Sequence, residues 1–145
     1  MLARKLKIKL GEILLQISSL GLEQLKEALT FQLRNLPSPL IGEILLEKGY
    51  IQKEDLDAAL AVQQGYPYLT VTNYKIEPQL LRKMPLELMQ KFSFLPLDII
   101  GNTLTVVISS LVYKSEVLKE LKDYKVRFFI SRQTQIREAL RNYYG

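Results

Sequence analysis

The chain contains no cysteine and no histidine among its 145 residues. Without cysteine it can form neither disulfides nor thiolate metal sites. Without histidine it lacks the commonest general base and the commonest metal ligand of proteins. These two absences argue against zinc chemistry and against Ser-His or Cys-His catalysis. We therefore expect no catalytic residues and no metal site.

Long apolar runs and a nucleotide-binding loop are missing as well. No run approaches the roughly 20 residues that a membrane-spanning helix needs, and the start, Met1 to Lys5, lacks the apolar segment of a signal peptide. The pattern G-x-x-x-x-G-K-[ST], which cradles phosphates in ATPase motors, does not occur. We expect a cytoplasmic protein that is not an enzyme, needs no cofactor and inserts into no membrane.

Positive charge is concentrated at the amino end of a chain whose net charge is +5. The first nine residues hold four cations and no acid: Arg4, Lys5, Lys7 and Lys9. Alternating residues from Lys5 to Leu10 indicate a short extended arm. The arm is either simply solvated or attracts phosphate. Nucleic-acid binding is not expected, because no stacking-aromatic groove or recognition-helix pattern accompanies the arm.

An internal duplication organises the first half of the chain. The heptapeptide KLGEILL at residues 9–15 returns as LIGEILL at residues 40–46, and Gly42 lies 31 residues after Gly11. The same offset relates four later pairs, which are Leu25/Leu56, Ala28/Ala59, Leu29/Leu60 and Gln32/Gln63. Two copies of one helical unit normally pack side by side and bury each other's apolar stripes.

The periodicity predicts two helical hairpins over residues 1–65, each with a short apolar helix followed by a longer amphipathic one. Gly49 and Gly65 are expected to end helices. After residue 65 the pattern predicts a short strand at Leu69 to Thr72, a Pro-started turn at Pro78, and a hairpin around Gly101-Asn102. A third strand and two more helices complete an α+β domain. We expect a tandem-repeat helical subdomain at 1–65 and a subdomain with a roughly three-stranded sheet at 66–145.

Several of these segments together resemble one family. The doubled helical unit is followed by Gly-Tyr-Pro-Tyr, by Leu-Pro-Leu-Asp before Gly-Asn-Thr-Leu-Thr-Val, and by a final Gln-Ile-Arg-Glu-Ala-Leu-Arg-Asn-Tyr-Tyr-Gly. This combination is similar to the MshEN domain, the N-terminal domain of type II secretion and type IV pilus assembly ATPases. The resemblance implies a regulatory module, with the ATPase motor or an inner-membrane platform protein as its partner.

The resemblance also implies a ligand, because in that family two tandem motifs bind one cyclic di-GMP molecule. Two copies of one surface suit a ligand with two flat guanines and two phosphates. The residues at the positions of the family motifs, which the resemblance implies bind the ligand, are Lys9, Leu10, Gly11, Leu14, Leu25, Leu29 and Gln32 in the first copy and Leu40, Ile41, Gly42, Leu45, Leu56, Leu60 and Gln63 in the second. Glycine permits close approach of a ring, leucines offer an apolar floor, and glutamine can pair with a base edge.

The chain departs from the family motif at positions that would carry charge. Lys9 replaces arginine, Leu40 replaces the second arginine, and Ile41 replaces the following leucine. Ser109-Ser110-Leu111 stands where many relatives have Ala-Asp-Pro, and Ser18 stands where a glycine usually closes the first short helix. Two functions stay open: a cyclic di-GMP-binding regulatory module, or a protein-interaction adaptor that has lost the ligand. Glu12, Glu43, Glu54 and Asp55 are interpreted as solvated or capping carboxylates.

Overall fold

The fold of the protein is given by a computed structural model that describes residues 9–144. The chain divides into two compact units, residues 1–65 and 66–145, which we call the helical unit and the α+β unit. The boundary falls at Gly65 and Tyr66, where the sequence pattern changes. The predicted basic arm at residues 1–8 lies outside the described residues.

Four helices form the helical unit: α1 Leu10–Ile17, α2 Leu22–Arg34, α3 Ile41–Glu47 and α4 Lys53–Gln63. The short helix of each copy packs against the long helix of the other copy, so α1 lies on α4 and α2 lies on α3. The two short helices α1 and α3 also contact each other. The core is drawn equally from both copies, and its largest members include Leu14 and Leu45. The two copies therefore form one folded unit rather than two hairpins in series.

The sequence marks the helix ends correctly in most places. Gly49 follows α3 with φ of +74°, and its N–H donates to the carbonyl of Leu46, as expected for a glycine that ends a helix. The Asp55 carboxylate is buried and accepts a hydrogen bond from the Gln52 N–H at 2.9 Å, which confirms its interpretation as a capping group. Leu10, which the sequence pattern placed in the extended arm, is the first residue of α1, and Lys9 before it has extended backbone angles.

The α+β unit contains a three-stranded sheet and four helices among the described residues. The elements in chain order are α5 Pro78–Arg82, α6 Leu86–Phe92, β1 Phe94–Ile100, β2 Thr103–Ile108, α7 Lys114–Glu120, β3 Lys125–Ile130 and α8 Gln133–Tyr144. Short 3₁₀ turns lie at Val71–Asn73 and Leu111–Tyr113. Among all the helices within residues 9–144, none has the length and apolar character required to cross a lipid bilayer.

The sheet has the order β1-β2-β3, with β1 antiparallel and β3 parallel to the central strand. Gly101, with φ of +61°, makes the tight turn between β1 and β2, as the Gly101-Asn102 signal predicts. Val106 and Val107 point to opposite faces of β2 and are both fully buried. Helices α5 and α6 pack against β1, which positions α6 near the edge of the sheet.

The predicted strand at Leu69 to Thr72 is wrong. Only Tyr68 makes a bridge, to Ile130, and residues Val71–Asn73 form a 3₁₀ turn. The buried Ser131 hydroxyl donates to the carbonyl of Leu69 at 2.8 Å and accepts from the N–H of Val71 at 3.3 Å. The Leu69 N–H donates to the carbonyl of Ile130 at 2.9 Å. Together these bonds pair the backbone groups at Leu69 and Val71 without a continuous strand ladder. Val71, a residue type that favours strands, contributes to the core here, since its side chain is fully buried.

Candidate ligand-binding site

The two motif glycines lie where α1 and α3 begin. A Cβ atom added to Gly11 would come within 2.9 Å of Leu25 Cδ1, and one added to Gly42 within 2.8 Å of Leu56 Cδ1. The added atom at Gly42 would also lie 3.5 Å from Leu10 Cδ2 of the first copy. The glycines thus leave room for the Leu25 and Leu56 side chains to lie against the short helix of their own copy. Gly11 is half-buried and Gly42 is buried, so both serve this packing.

Lys9 and Leu40 occupy equivalent backbone positions. Each is the residue before its short helix, with φ and ψ of −66° and 139° at Lys9 and −69° and 142° at Leu40. Both side chains are exposed, and that of Leu40 is 68% exposed. The second copy therefore presents a leucine to solvent in the place where the first copy presents a cation.

The motif leucines separate into a core set and a surface set. Leu14 and Leu45 are fully buried and Leu25 is 6% exposed, so contact with a ligand would require the core to open. We therefore place these three as support beneath the surface rather than as its floor. Leu29 and Leu60 are 42% and 40% exposed, and they form the matched apolar surface pair. Leu10, Ile41 and Leu56 are half-buried and pack against the core of the helical unit.

The two motif glutamines are half-buried at equivalent helix positions. The Gln32 side-chain amide donates a hydrogen bond to the carbonyl of Pro39 at 2.9 Å. Pro39 directly precedes Leu40, so this bond ties the end of α2 to the start of the second motif. Gln32 consequently has a structural role, in addition to its proposed role at a base edge.

The charges around these motifs disfavour an anion overall, because acids outnumber cations in residues 9–65. Residues 9–65 contain five Lys and Arg and eight Asp and Glu. Three of the cations are in ion pairs, namely Lys26 with Glu23, Lys48 with Glu27, and Lys53 with Asp57. Lys9 is the motif cation that has no ion-pair partner within residues 9–144.

Two further leucines near the site are exposed, and the repeat pattern does not identify them. Leu33 is 82% exposed at the end of α2, and Leu36 is 90% exposed in the connection to the second copy. The residues 31 positions later are Gln64 and Pro67, so this apolar surface has no counterpart in the second copy. Leu29, Leu33 and Leu36 recur at spacings of four and three residues, so the sequence contained a signal for this apolar stripe.

In the α+β unit, buried serines occupy the segment where many relatives have Ala-Asp-Pro. Ser109 and Ser110 are buried directly after β2. The Ser110 hydroxyl accepts a hydrogen bond from the N–H of Val112 at 3.3 Å and caps the 3₁₀ turn Leu111–Tyr113. The departure from the family motif therefore has a local structural role in this chain.

Comparison with known proteins identifies the family. The sequence profile of the MshEN domain matches residues 64–145, which is more than half of the chain. The chain belongs to the MshEN domain family. The match corresponds to the MshEN domain and not to the catalytic domain of an ATPase.

Curated relatives extend the similarity over the helical unit of this MshEN chain. It is 28% identical over 139 residues to the type IV pilus assembly ATPase PilB of Myxococcus xanthus, and 32% identical over 142 residues to PilB of Thermus thermophilus. It is 30% identical over 138 residues to bacteriophage adsorption protein B of Escherichia coli K12. Each alignment covers 94% of this chain but only 24%, 15% and 18% of the relative, respectively. The chain therefore spans less than a quarter of these proteins.

Solved structures show the same fold. A structure of MshE with cdg, the abbreviation of cyclic di-GMP, superposes with a TM-score of 0.61 at 22% identity and covers 94% of this chain and 99% of that one. The N-terminal domain of XpsE superposes with a TM-score of 0.51 at 17% identity, with coverage of 99% and 96%. The α+β class with a three-stranded mixed sheet is thereby confirmed.

Proposed function

We propose that this chain is a non-catalytic regulatory module of a type IV pilus or type II secretion ATPase and acts in the cytoplasm. Family membership and the PilB relatives support this assignment. The proposed partner is the ATPase motor or an inner-membrane platform protein of the same machine. A bound ligand that orders the helical unit would bias how the module docks on that partner.

We further propose that the helical unit binds one cyclic di-GMP through its twofold surface. The observation that carries this proposal is the matched geometry of the two copies, above all the equal backbone angles at Lys9 and Leu40 and the equal exposure of Leu29 and Leu60. A ligand with two equivalent halves can make the same contacts with each copy. Leu10 and Ile41, with Gln32 and Gln63, complete the proposed contact set.

We expect the affinity for cyclic di-GMP to be lower than that of a site with a cation in both copies. Leu40 supplies no charge to the second phosphate, and a charge-assisted hydrogen bond is worth about 1.5–3 kcal/mol. Loss of one such contact weakens binding by about tenfold or more. The second candidate function, an adaptor that binds no nucleotide, is favoured by the exposed leucines 33, 36 and 40.

Isothermal titration calorimetry with cyclic di-GMP separates these functions. We expect weak binding of one dinucleotide per chain, and about tenfold tighter binding after Leu40→Arg, because the new guanidinium would stand in the equivalent position to Lys9. Ile100→Arg is the matched control: it adds the same charge at a comparably exposed apolar residue of the α+β unit, outside the motifs, and should leave the affinity unchanged.

An absence of heat with both the natural chain and Leu40→Arg would contradict nucleotide binding and favour the adaptor. Equal gains from Leu40→Arg and Ile100→Arg would show that the dinucleotide responds only to overall charge, which would refute the placement of the site.

A further inference from the structure

The α+β unit contains a cavity that the proposed cyclic di-GMP site does not use. It has a volume of about 480 Å³ and lies between α6 and α8. Leu86 of α6 and Leu140 of α8 line its apolar part. This volume is within the range of about 300–1,000 Å³ that is typical of ligand pockets in proteins.

One wall of the cavity carries two cations. Arg137 and Arg141 are exposed on α8, and neither has an ion-pair partner among residues 9–144. They are four residues apart, so their Cα atoms are separated by about 6 Å along the helix. Two like charges at this spacing repel each other unless anions neutralise them. The wall therefore offers two separate positions for carboxylates.

The cavity also holds a buried hydroxyl without a partner. Ser93 lines it, is 4% exposed, and its Oγ makes no hydrogen bond among the described residues. Its backbone has φ of 49° and ψ of 61°, a left-handed conformation in which glycine would be less strained. Buried polar groups are normally paired, so this hydroxyl points to a ligand that completes its hydrogen bonding.

We propose that this cavity binds a polypeptide segment of a partner protein in which an apolar side chain is flanked by acidic residues. The apolar side chain enters between Leu86 and Leu140, two carboxylates meet Arg137 and Arg141, and a backbone group of the segment pairs with the Ser93 hydroxyl. A small monocarboxylate would neutralise only one arginine, whereas acidic residues on a peptide naturally present two carboxylates at this spacing.

The charge of the whole unit supports an acidic partner. Residues 66–145 contain 12 Lys and Arg and 7 Asp and Glu, whereas residues 1–65 contain eight of each. The entire net charge of +5 therefore belongs to the unit that contains the cavity. Long-range attraction would steer an acidic segment towards this unit and not towards the helical one.

Fluorescence anisotropy with the full chain tests the proposal. The probe is a labelled synthetic peptide with glutamates four residues apart and leucines between them. We expect binding that falls at least about tenfold when Arg137→Ala and Arg141→Ala are combined. The matched control combines Arg82→Ala and Lys83→Ala, which removes two exposed cations of the same unit away from the cavity, and should change the affinity by less than about twofold.

Two further measurements make the test specific. Ser93→Gly removes the hydroxyl but suits the left-handed backbone, so it should weaken binding while the melting temperature stays the same or rises. A peptide with serines in place of the leucines should bind more weakly than the original. Equal losses in the two double variants, equal binding of the two peptides, or unchanged affinity in Ser93→Gly would each overturn the proposal. Binding of dodecanoate but not of the peptide would overturn it in favour of a small amphipathic acid.

Discussion

Ser18 and Gly49 occupy matching positions in the two copies but end their helices in different ways. Gly49 takes φ of +74°, with no atom within 4 Å of the place that a Cβ would fill. Ser18 is extended, and its hydroxyl donates to the carbonyl of Leu14 at 2.6 Å and accepts from the N–H of Leu20 at 3.2 Å. In the first copy, a side-chain cap from Ser18 therefore ends the helix where the second copy uses a left-handed glycine. For this reason the first copy does not need the glycine that the family has at this position.

Substitution of Ser18 and of Gly49 should measure separately how much the side-chain cap and the left-handed glycine contribute to stability. We expect Gly49→Ala to cost about 1–2 kcal/mol of stability, because alanine is disfavoured in the left-handed region although space is available. Ser18→Ala should cost about 1 kcal/mol through its lost hydrogen bonds. Urea denaturation measures both, with the exposed Ser19→Ala as control. Wild-type stability in Gly49→Ala would show that the residue does not adopt the left-handed conformation in solution.

At the scale of elements, a polar cluster joins α2 of the first copy to the residues that follow α3 in the second. The Glu27 carboxylate on α2 lies 3.0 Å from Lys48 Nζ and accepts a hydrogen bond from the Tyr50 hydroxyl at 2.9 Å, both just beyond α3. The hydrogen bond from Lys48, followed by that from Tyr50, lowers the pKa of Glu27. The equivalent residues in the other copy are Ala58, Ile17 and Ser19, so the twofold symmetry is broken here.

This cluster predicts a pH dependence of stability. Because the pKa of Glu27 is lower in the folded chain than in the unfolded one, its stabilising effect is present at neutral pH and is lost as the pH falls through and below the ordinary range of a glutamate carboxyl. Melting temperatures of the natural chain and of Glu27→Gln should therefore differ at pH 7 and converge in acid.

Glu43→Gln is the control, since Glu43 is exposed and has no ion-pair partner within residues 9–144. Its melting curve should stay close to that of the natural chain across the same range. A difference between Glu27→Gln and the natural chain that persists below about pH 3 would contradict the electrostatic explanation.

Elements with a local cause could be predicted from the sequence, and elements fixed by distant residues could not. The hairpin around Gly101 follows from the turn chemistry of two adjacent residues, and the start of α5 follows from Pro78. The segment at Leu69 was mistaken for a strand because its conformation depends on Ser131, about 60 residues later. No local pattern contains that information.

In the candidate site, too, the features with a local cause could be predicted from the sequence and those fixed by distant residues could not. The offset of 31 residues identified every equivalent pair, and the structure brings the start of one motif against the glycine of the other. Periodicity could not distinguish Leu14 in the core from Leu29 at the surface, because both lie at helical spacing and only the packing of the other copy decides which is covered. The sequence pattern likewise does not predict the hydrogen bond from Gln32 to Pro39.

At the scale of the whole molecule, the two units differ in architecture and in charge. The helical unit is a pseudo-symmetric repeat without net charge, and the α+β unit carries the net charge of +5 and the cavity between α6 and α8. This division suits a module that receives a small ligand with one unit and a polypeptide partner with the other. The two proposals can fail independently, because they rest on different units.

The location of dinucleotide binding tests the central claim most directly. In a solution NMR titration of the methyl-labelled chain with cyclic di-GMP, the methyl signals of Leu29 and Leu60 should shift together, with Leu10 and Ile41, and reach their end point at one dinucleotide per chain. Signals of Leu86 and Leu140 in the α+β unit should stay in place. Shifts confined to one copy, shifts confined to residues 66–145, or no shift at saturating dinucleotide would contradict a twofold site on the helical unit.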